Sequence, residues 1–122
     1  MKNMRFLLTL LLIASTSVAF AKTDSTASFK VWGNCDMCKS RMEKAAKAAG
    51  AEKAVWNDES EIMTVEFNSK KTSSDKIQQK IAAVGHDTEK YKSLQNAYDG
   101  LPGCCKYKRE VGIETKEHDH PH

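Results

Sequence analysis

Long apolar runs are missing from most of this chain. Beyond residue 21 no segment is apolar enough to cross a bilayer, which takes roughly 20 consecutive apolar residues, so no membrane insertion is expected once the amino-terminal segment is removed. A dominant charge is missing as well: 19 Lys and Arg stand against 16 Asp and Glu, and Lys2 and Arg5 supply two of the three net positive charges. Electrostatics therefore gives no argument for a nucleic-acid partner. Apolar residues make up only about one-third of the chain after residue 21, enough for the modest core of one small domain and too little for a large multidomain enzyme. No Ser/His/Asp constellation, paired-carboxylate site or glycine-rich phosphate loop is present to suggest catalysis. Disorder throughout is not expected, because branched and aromatic residues recur in short alternating runs separated by turn signals.

Met1 to Ala21 opens with Lys2 and Arg5, continues through the apolar run Phe6 to Ala14, and closes on Ala19-Phe20-Ala21. That is the pattern of a cleaved secretory signal peptide, too short for a membrane span. No Cys stands at the cleavage point, so a lipid anchor is not expected. The mature chain is expected to be periplasmic. In an oxidising compartment its four Cys are open to two readings, disulfides or metal-binding thiols.

Residues 22 to 27 are a short polar lead-in, followed by a domain over 28 to 91. Phe29 and Val31 alternate as in a strand ending at Trp32-Gly33. Met42, Ala45, Ala46 and Ala49 recur at helical spacing over Cys38 to Ala49, with Gly50 as the stop. Ala54 and Trp56 share one strand face, and Met63, Val65 and Phe67 share another after an Asn57 to Ser60 turn, which predicts a hairpin. Thr72 and Asp75 have capping-box spacing before a second helix carrying Ile77, Ile81 and Val84 and closed by Gly85. Asp87 to Tyr91 is read as a fourth strand. The order strand, helix, strand, strand, helix, strand predicts an α+β, ferredoxin-like βαββαβ sandwich: a four-stranded antiparallel sheet with two helices on one face. Residues 92 to 113 form a Cys-containing C-terminal extension with the turn-like run Asp99 to Gly103. Residues 114 to 122 are a polar tail with His118, His120 and His122 on alternate positions, able to hold Cu(II), Ni(II) or Zn(II) only loosely.

Cys35-Asp36-Met37-Cys38 falls between the first strand and the first helix. One thiol in the loop and one at the helix start can converge on a common atom, and the helix dipole with nearby Lys39 favours thiolates there. Soft thiolates on a flexible loop suit Cu(I), and accept Ag(I), Hg(II), Zn(II) or Cd(II). Haem attachment is excluded because Lys39 follows Cys38. A thioredoxin fold is not expected, since no Pro lies between Cys38 and Pro102. Two rivals stay open: a periplasmic thiol-disulfide oxidoreductase with Cys35 as nucleophile and Cys38 as resolving thiol, and a disulfide-stapled structural interaction module.

Val31 to Cys38, Ala54-Val55-Trp56, Val65 to Asn68 and Ile81 to His86 together resemble the heavy-metal-associated domain family. That family includes soluble copper chaperones, the metal-binding domains of metal-pumping P-type ATPases and a periplasmic mercury-binding protein. The resemblance implies that Cys35 and Cys38 are the metal ligands, that the protein is not an enzyme, and that its partners are a metal efflux pump or an acceptor metalloprotein. It also places His86, after the Gly that ends the second helix, beside the metal loop as a third ligand or as a hydrogen-bonding neighbour of one. Where the family has Gly-Met-x before its first Cys, this chain has Trp32-Gly33-Asn34, a departure that bears on metal preference. Met37, between the two Cys, usually points away from the metal in related proteins.

Cys104 and Cys105 lie outside the resemblance. Neighbouring Cys side chains tend to diverge, so each is expected to find a distant partner. Either the segment folds over Cys35 and Cys38 to build a site of three or four thiolates, or it staples the extension by a disulfide. A monomer and a metal-bridged dimer are both compatible with the sequence. Lys39, Arg41, Lys44 and Lys47 are read as the solvated face of the first helix, available to an acidic partner.

Overall fold

A computed structural model describes residues 23–109 of the chain. The leader at 1–21 and the histidine tail at 114–122 lie outside the described residues. The elements run β1 (Ser25–Lys30), α1 (Asp36–Ala48), β2 (Lys53–Asn57), β3 (Ile62–Phe67), α2 (Ser74–Ala83), a short α3 (Gln95–Asp99) and a 3-10 turn (Gly103–Cys105). The first strand starts at Ser25 and so takes in part of the polar stretch before residue 28.

The three strands form one antiparallel sheet in the order β1-β3-β2. Phe29 and Trp56 both face Met63, and Ala27 and Ala54 both face Val65. Since side chains alternate across a strand, this register puts the large apolar groups on one face, where Phe29, Trp56, Met63 and Val65 are buried. Helix α1 closes that face with Cys38, Met42, Ala45 and Ala46, and α2 with Ile77 and Ile81. The small Ala residues let α1 lie close to the sheet. Two polar side chains of α1 then fix it against β2: Glu43 accepts from Trp56 N at 2.9 Å and Lys39 donates to Trp56 O at 2.8 Å.

Two expectations need correction. The cap of α2 is Ser73, whose hydroxyl accepts from Lys76 N; Thr72 instead turns its hydroxyl to Ala49 O at 2.6 Å, tying the end of α1 to the start of α2. The sheet has three strands, not four. Asp87 to Tyr91 begins as a strand would, with Trp32 N donating to Asp87 O and Glu89 N to Lys30 O, both at 2.9 Å, but only the single bridge Val31 to Thr88 forms. Beyond it Thr88 N donates to Tyr91 O, Tyr91 N donates to the Thr88 hydroxyl, and Lys90 N donates to Gln78 Oε1. Local side-chain acceptors take the amides that a longer ladder would have used.

Candidate metal centre

The loop after β1 presents Cys35 in extended backbone at the cap position of α1, and Cys38 buried in the first turn. Its approach to the core depends on Gly33. A Cβ there would stand 3.0 Å from Met42 Cε and 3.2 Å from Cys38 Cβ, so a side chain would push the loop outward.

The extension reaches the same place from the other end of the chain. Cys35 Sγ lies 3.5 Å from Cys38 Sγ, 3.2 Å from Cys104 Sγ and 3.5 Å from Cys105 Sγ. The sulfurs of Cys35, Cys38 and Cys105 all lie within 4.8 Å of one another. All four are free thiols, with Cys38 and Cys105 buried and Cys104 exposed. Both members of the neighbouring pair meet the same distant partner, Cys35. The 3-10 turn at Gly103–Cys105 leaves both sulfurs on Cys35, 4.0 Å from each other.

What holds the extension down is polar and specific. The buried Tyr107 hydroxyl donates to Gly85 O and accepts from Asp87 N, both at 2.8 Å. Arg109 clamps the Asp87 carboxylate through Nε at 2.9 Å and Nη2 at 2.7 Å, and donates to Ser93 O at 2.7 Å. Tyr98 donates to Tyr107 O at 2.6 Å, and Leu101 is buried in the main core. These contacts centre on Gly85 to Asp87, the turn after α2. The turn therefore serves as the seat on which Cys104 and Cys105 are carried to the loop.

The electrostatics divides the thiols. The hydrogen bond with Cys104, then one from the Cys38 N–H, holds Cys35 down to about 6. Burial pushes Cys38 up to about 12 and also raises Cys105. Cys104 is raised, first by its hydrogen bond with Cys35 and then by burial. At neutral pH one thiolate is thus solvated by its thiol neighbours, and a soft cation can take the place of their protons. The cation beside the sulfurs is Arg41, whose Nη1 donates to Cys105 Sγ at 3.3 Å. Lys39, expected in that role, is occupied by Glu43 and Trp56 O. Arg41 was legible as the residue one helical turn beyond Cys38, yet it was read as part of a solvated face.

His86 is fully buried, and it is not one of the three groups gathered at the thiol centre. Its Nδ1 lies 2.9 Å from Trp32 O, an atom that only accepts, so Nδ1 carries the proton. Its ring stacks on Tyr107 at 5.4 Å between centroids, and Nε2 is buried without a partner. Burial lowers its pKa, and the Arg41 charge adds to this. Its observed contacts make it a neighbour that braces the loop and the extension. Met37, half exposed, meets the site from outside: the Cys104 thiol points to its Sδ at 3.6 Å.

No family model and no curated protein matches the chain. Among solved structures it is similar to the CopZ metallochaperone, with 27% identity over 52% of this chain and 98% of that one, at a TM-score of 0.50. It is also similar to the water-soluble region of the P-type ATPase CopA from Bacillus subtilis, with 26% identity over 57% of this chain and 47% of that one, at a TM-score of 0.51. The likeness, like the loop and strand motifs, is to heavy-metal-associated domain proteins, and the chain shares their α+β architecture of an antiparallel sheet with two helices. These neighbours are named for metal handling, one as a metallochaperone and one as the water-soluble region of a P-type ATPase. Among the described residues no helix is long and apolar enough to cross a membrane.

Proposed function

We propose that this chain is an exported soft-metal-binding protein that holds Cu(I) for transfer or sequestration, with Cys35, Cys38 and Cys105 as its ligands. The observation that carries the reading is the 3.5 Å approach of Cys105 Sγ to Cys35 Sγ, which adds a third sulfur to the loop pair. Three soft donors suit Cu(I), whereas Zn(II) would call for a completed tetrahedron, and Cys104 stands outside the three sulfurs that lie within 4.8 Å of one another. Ag(I), Hg(II) and Cd(II) are competitors for the same sulfurs. Arg41 offsets part of the negative charge that three thiolates and a monovalent ion would leave. The leader at Met1 to Ala21 supports export to the periplasm.

Metal moves by ligand exchange. A partner's thiolate enters at the exposed edge before a resident one leaves, so no bare ion forms. Likeness to a metallochaperone and to an ATPase's soluble region supports a metal efflux pump or an acceptor metalloprotein as that partner. The buried Cys38 and Cys105 slow the last step of release, which weights the balance toward holding metal.

Anaerobic competition titration of the reduced chain with Cu(I) and Zn(II) against a chelator tests the reading. Tight Cu(I) binding, at least about tenfold weakened by Cys35→Ser, is the expected result. Weak Cu(I) binding combined with catalysed reduction of a test disulfide would replace it with the redox reading.

A further inference from the structure

Five sulfurs converge on this end of the molecule, and three of them complete the inner site. The remaining two are Cys104 Sγ and Met37 Sδ. They lie on the solvent side of Cys35, and both residues are exposed, Met37 by 52%. Cys104 Sγ is 3.2 Å from Cys35 Sγ and 3.6 Å from Met37 Sδ. A metal–thiolate bond of about 2.3 Å places the sulfurs around one ion roughly 3.8 to 4.0 Å apart, so the Cys35–Cys104 edge must open by roughly 0.6 to 0.8 Å and the Cys104–Met37 edge by roughly 0.2 to 0.4 Å to admit an ion.

We propose a second soft-ion position, held by Cys35, Cys104 and the Met37 thioether, with Cys35 bridging it to the inner position. This rests on the thiolate reading of the inner site and goes beyond it. A bridging thiolate is a natural role for Cys35, whose sulfur lies within 3.5 Å of those of Cys38, Cys104 and Cys105. Loading the outer position exchanges the Cys104 thiol proton for the ion: the S–H bond breaks, a sulfur–metal bond forms, one monovalent cation enters and one proton leaves. Nothing is oxidised or reduced, and the net charge of the cluster stays constant, so the single guanidinium of Arg41 continues to suffice. A thioether matches a monovalent soft ion, because it binds without adding charge. Exposure makes the outer position the one that exchanges with solvent and with partners.

The test is native mass spectrometry of the reduced chain titrated anaerobically with Cu(I) in the presence of a chelator, with Cys104→Ser/Met37→Leu alongside. Both substitutions are at exposed positions, and circular dichroism of each protein checks the fold. The expected result is a wild-type monomer with two Cu(I), a Cu···Cu scattering vector in its X-ray absorption spectrum, and a double variant that stops at one Cu(I). A wild type that saturates at one ion overturns the outer position and leaves the inner reading standing. Two ions retained in the double variant also overturn it. Absence of any tight binding overturns the inner reading and the outer one with it.

Discussion

Cys35 and Cys104 are separated by 69 positions in sequence and by 3.2 Å between their sulfurs. The thiol of one solvates the thiolate of the other, so the chemistry of a loop near one end of the domain depends on a segment at the other end. That dependence is directly measurable.

In the metal-free reduced protein, Cys35 is expected to be alkylated by iodoacetamide with a midpoint near pH 6, far below the ordinary thiol value of 9.0. Cys104→Ser replaces the thiol donor and Cys104→Ala removes it. The alanine variant is expected to shift the midpoint upward by more than the serine variant. Peptide mapping of the alkylated site reads both. A Cys35 midpoint that does not move in Cys104→Ala sinks the account of its acidity.

Gly85 sits at φ +112°, and a Cβ there would meet Leu101 Cδ2 at 2.8 Å and Ala97 O at 3.0 Å. Gly85→Ala therefore combines left-handed strain with a clash against the extension, at a cost of about 1–3 kcal/mol. The extension is expected to lift, lowering stability in urea and weakening Cu(I) binding together. Gly100→Ala, where the nearest atoms are at 3.6 Å, is expected to do neither. Equal behaviour of the two variants would contradict the role given to the Gly85 turn.

The buried His86 gives the fold an acid limb. Its folded-state pKa is lowered from 6.5 by burial, so the unfolded chain binds a proton more readily than the native one. Stability from the neutral ring is complete above pH 6.5 and is lost as pH falls below it, until the folded pKa is reached. The slope approaches about 1.4 kcal/mol per pH unit. Urea unfolding of metal-free wild type and His86→Phe between pH 7.5 and 5 reads the difference. The variant is expected to lack this slope, and parallel curves would show that His86 does not contribute it.

Much of this was legible in the sequence. The helical spacing of Met42, Ala45 and Ala46, the alternation of Met63, Val65 and Phe67, and the Cys-x-x-Cys loop are local patterns, and each element formed where its pattern lies. The fourth strand failed because Thr88, Tyr91 and Gln78 offered closer hydrogen-bond partners, a competition that alternation does not report. The extension was harder still. Its anchors are single residues, Leu101, Tyr107 and Arg109, with no period, and their partners at Gly85 and Asp87 lie far away in sequence. The spacing of Tyr98 and Leu101, about one helical turn apart, was the available signal that this segment packs instead of trailing. Arg41 was hidden for a similar reason, since a cation on a helix's polar face declares its role only when the Cys105 sulfur arrives beside it.

The central claim is that the extension supplies a metal ligand. Copper K-edge absorption of the reduced chain loaded with one equivalent of Cu(I) tests it most directly, with Cys105→Ser measured in parallel. Three sulfur neighbours per copper in the wild type, falling to two in the variant, is the result this account predicts. Two sulfur neighbours in both would contradict it, leaving Cys35 and Cys38 as an unaided pair and Cys105 as a buried thiol of the core.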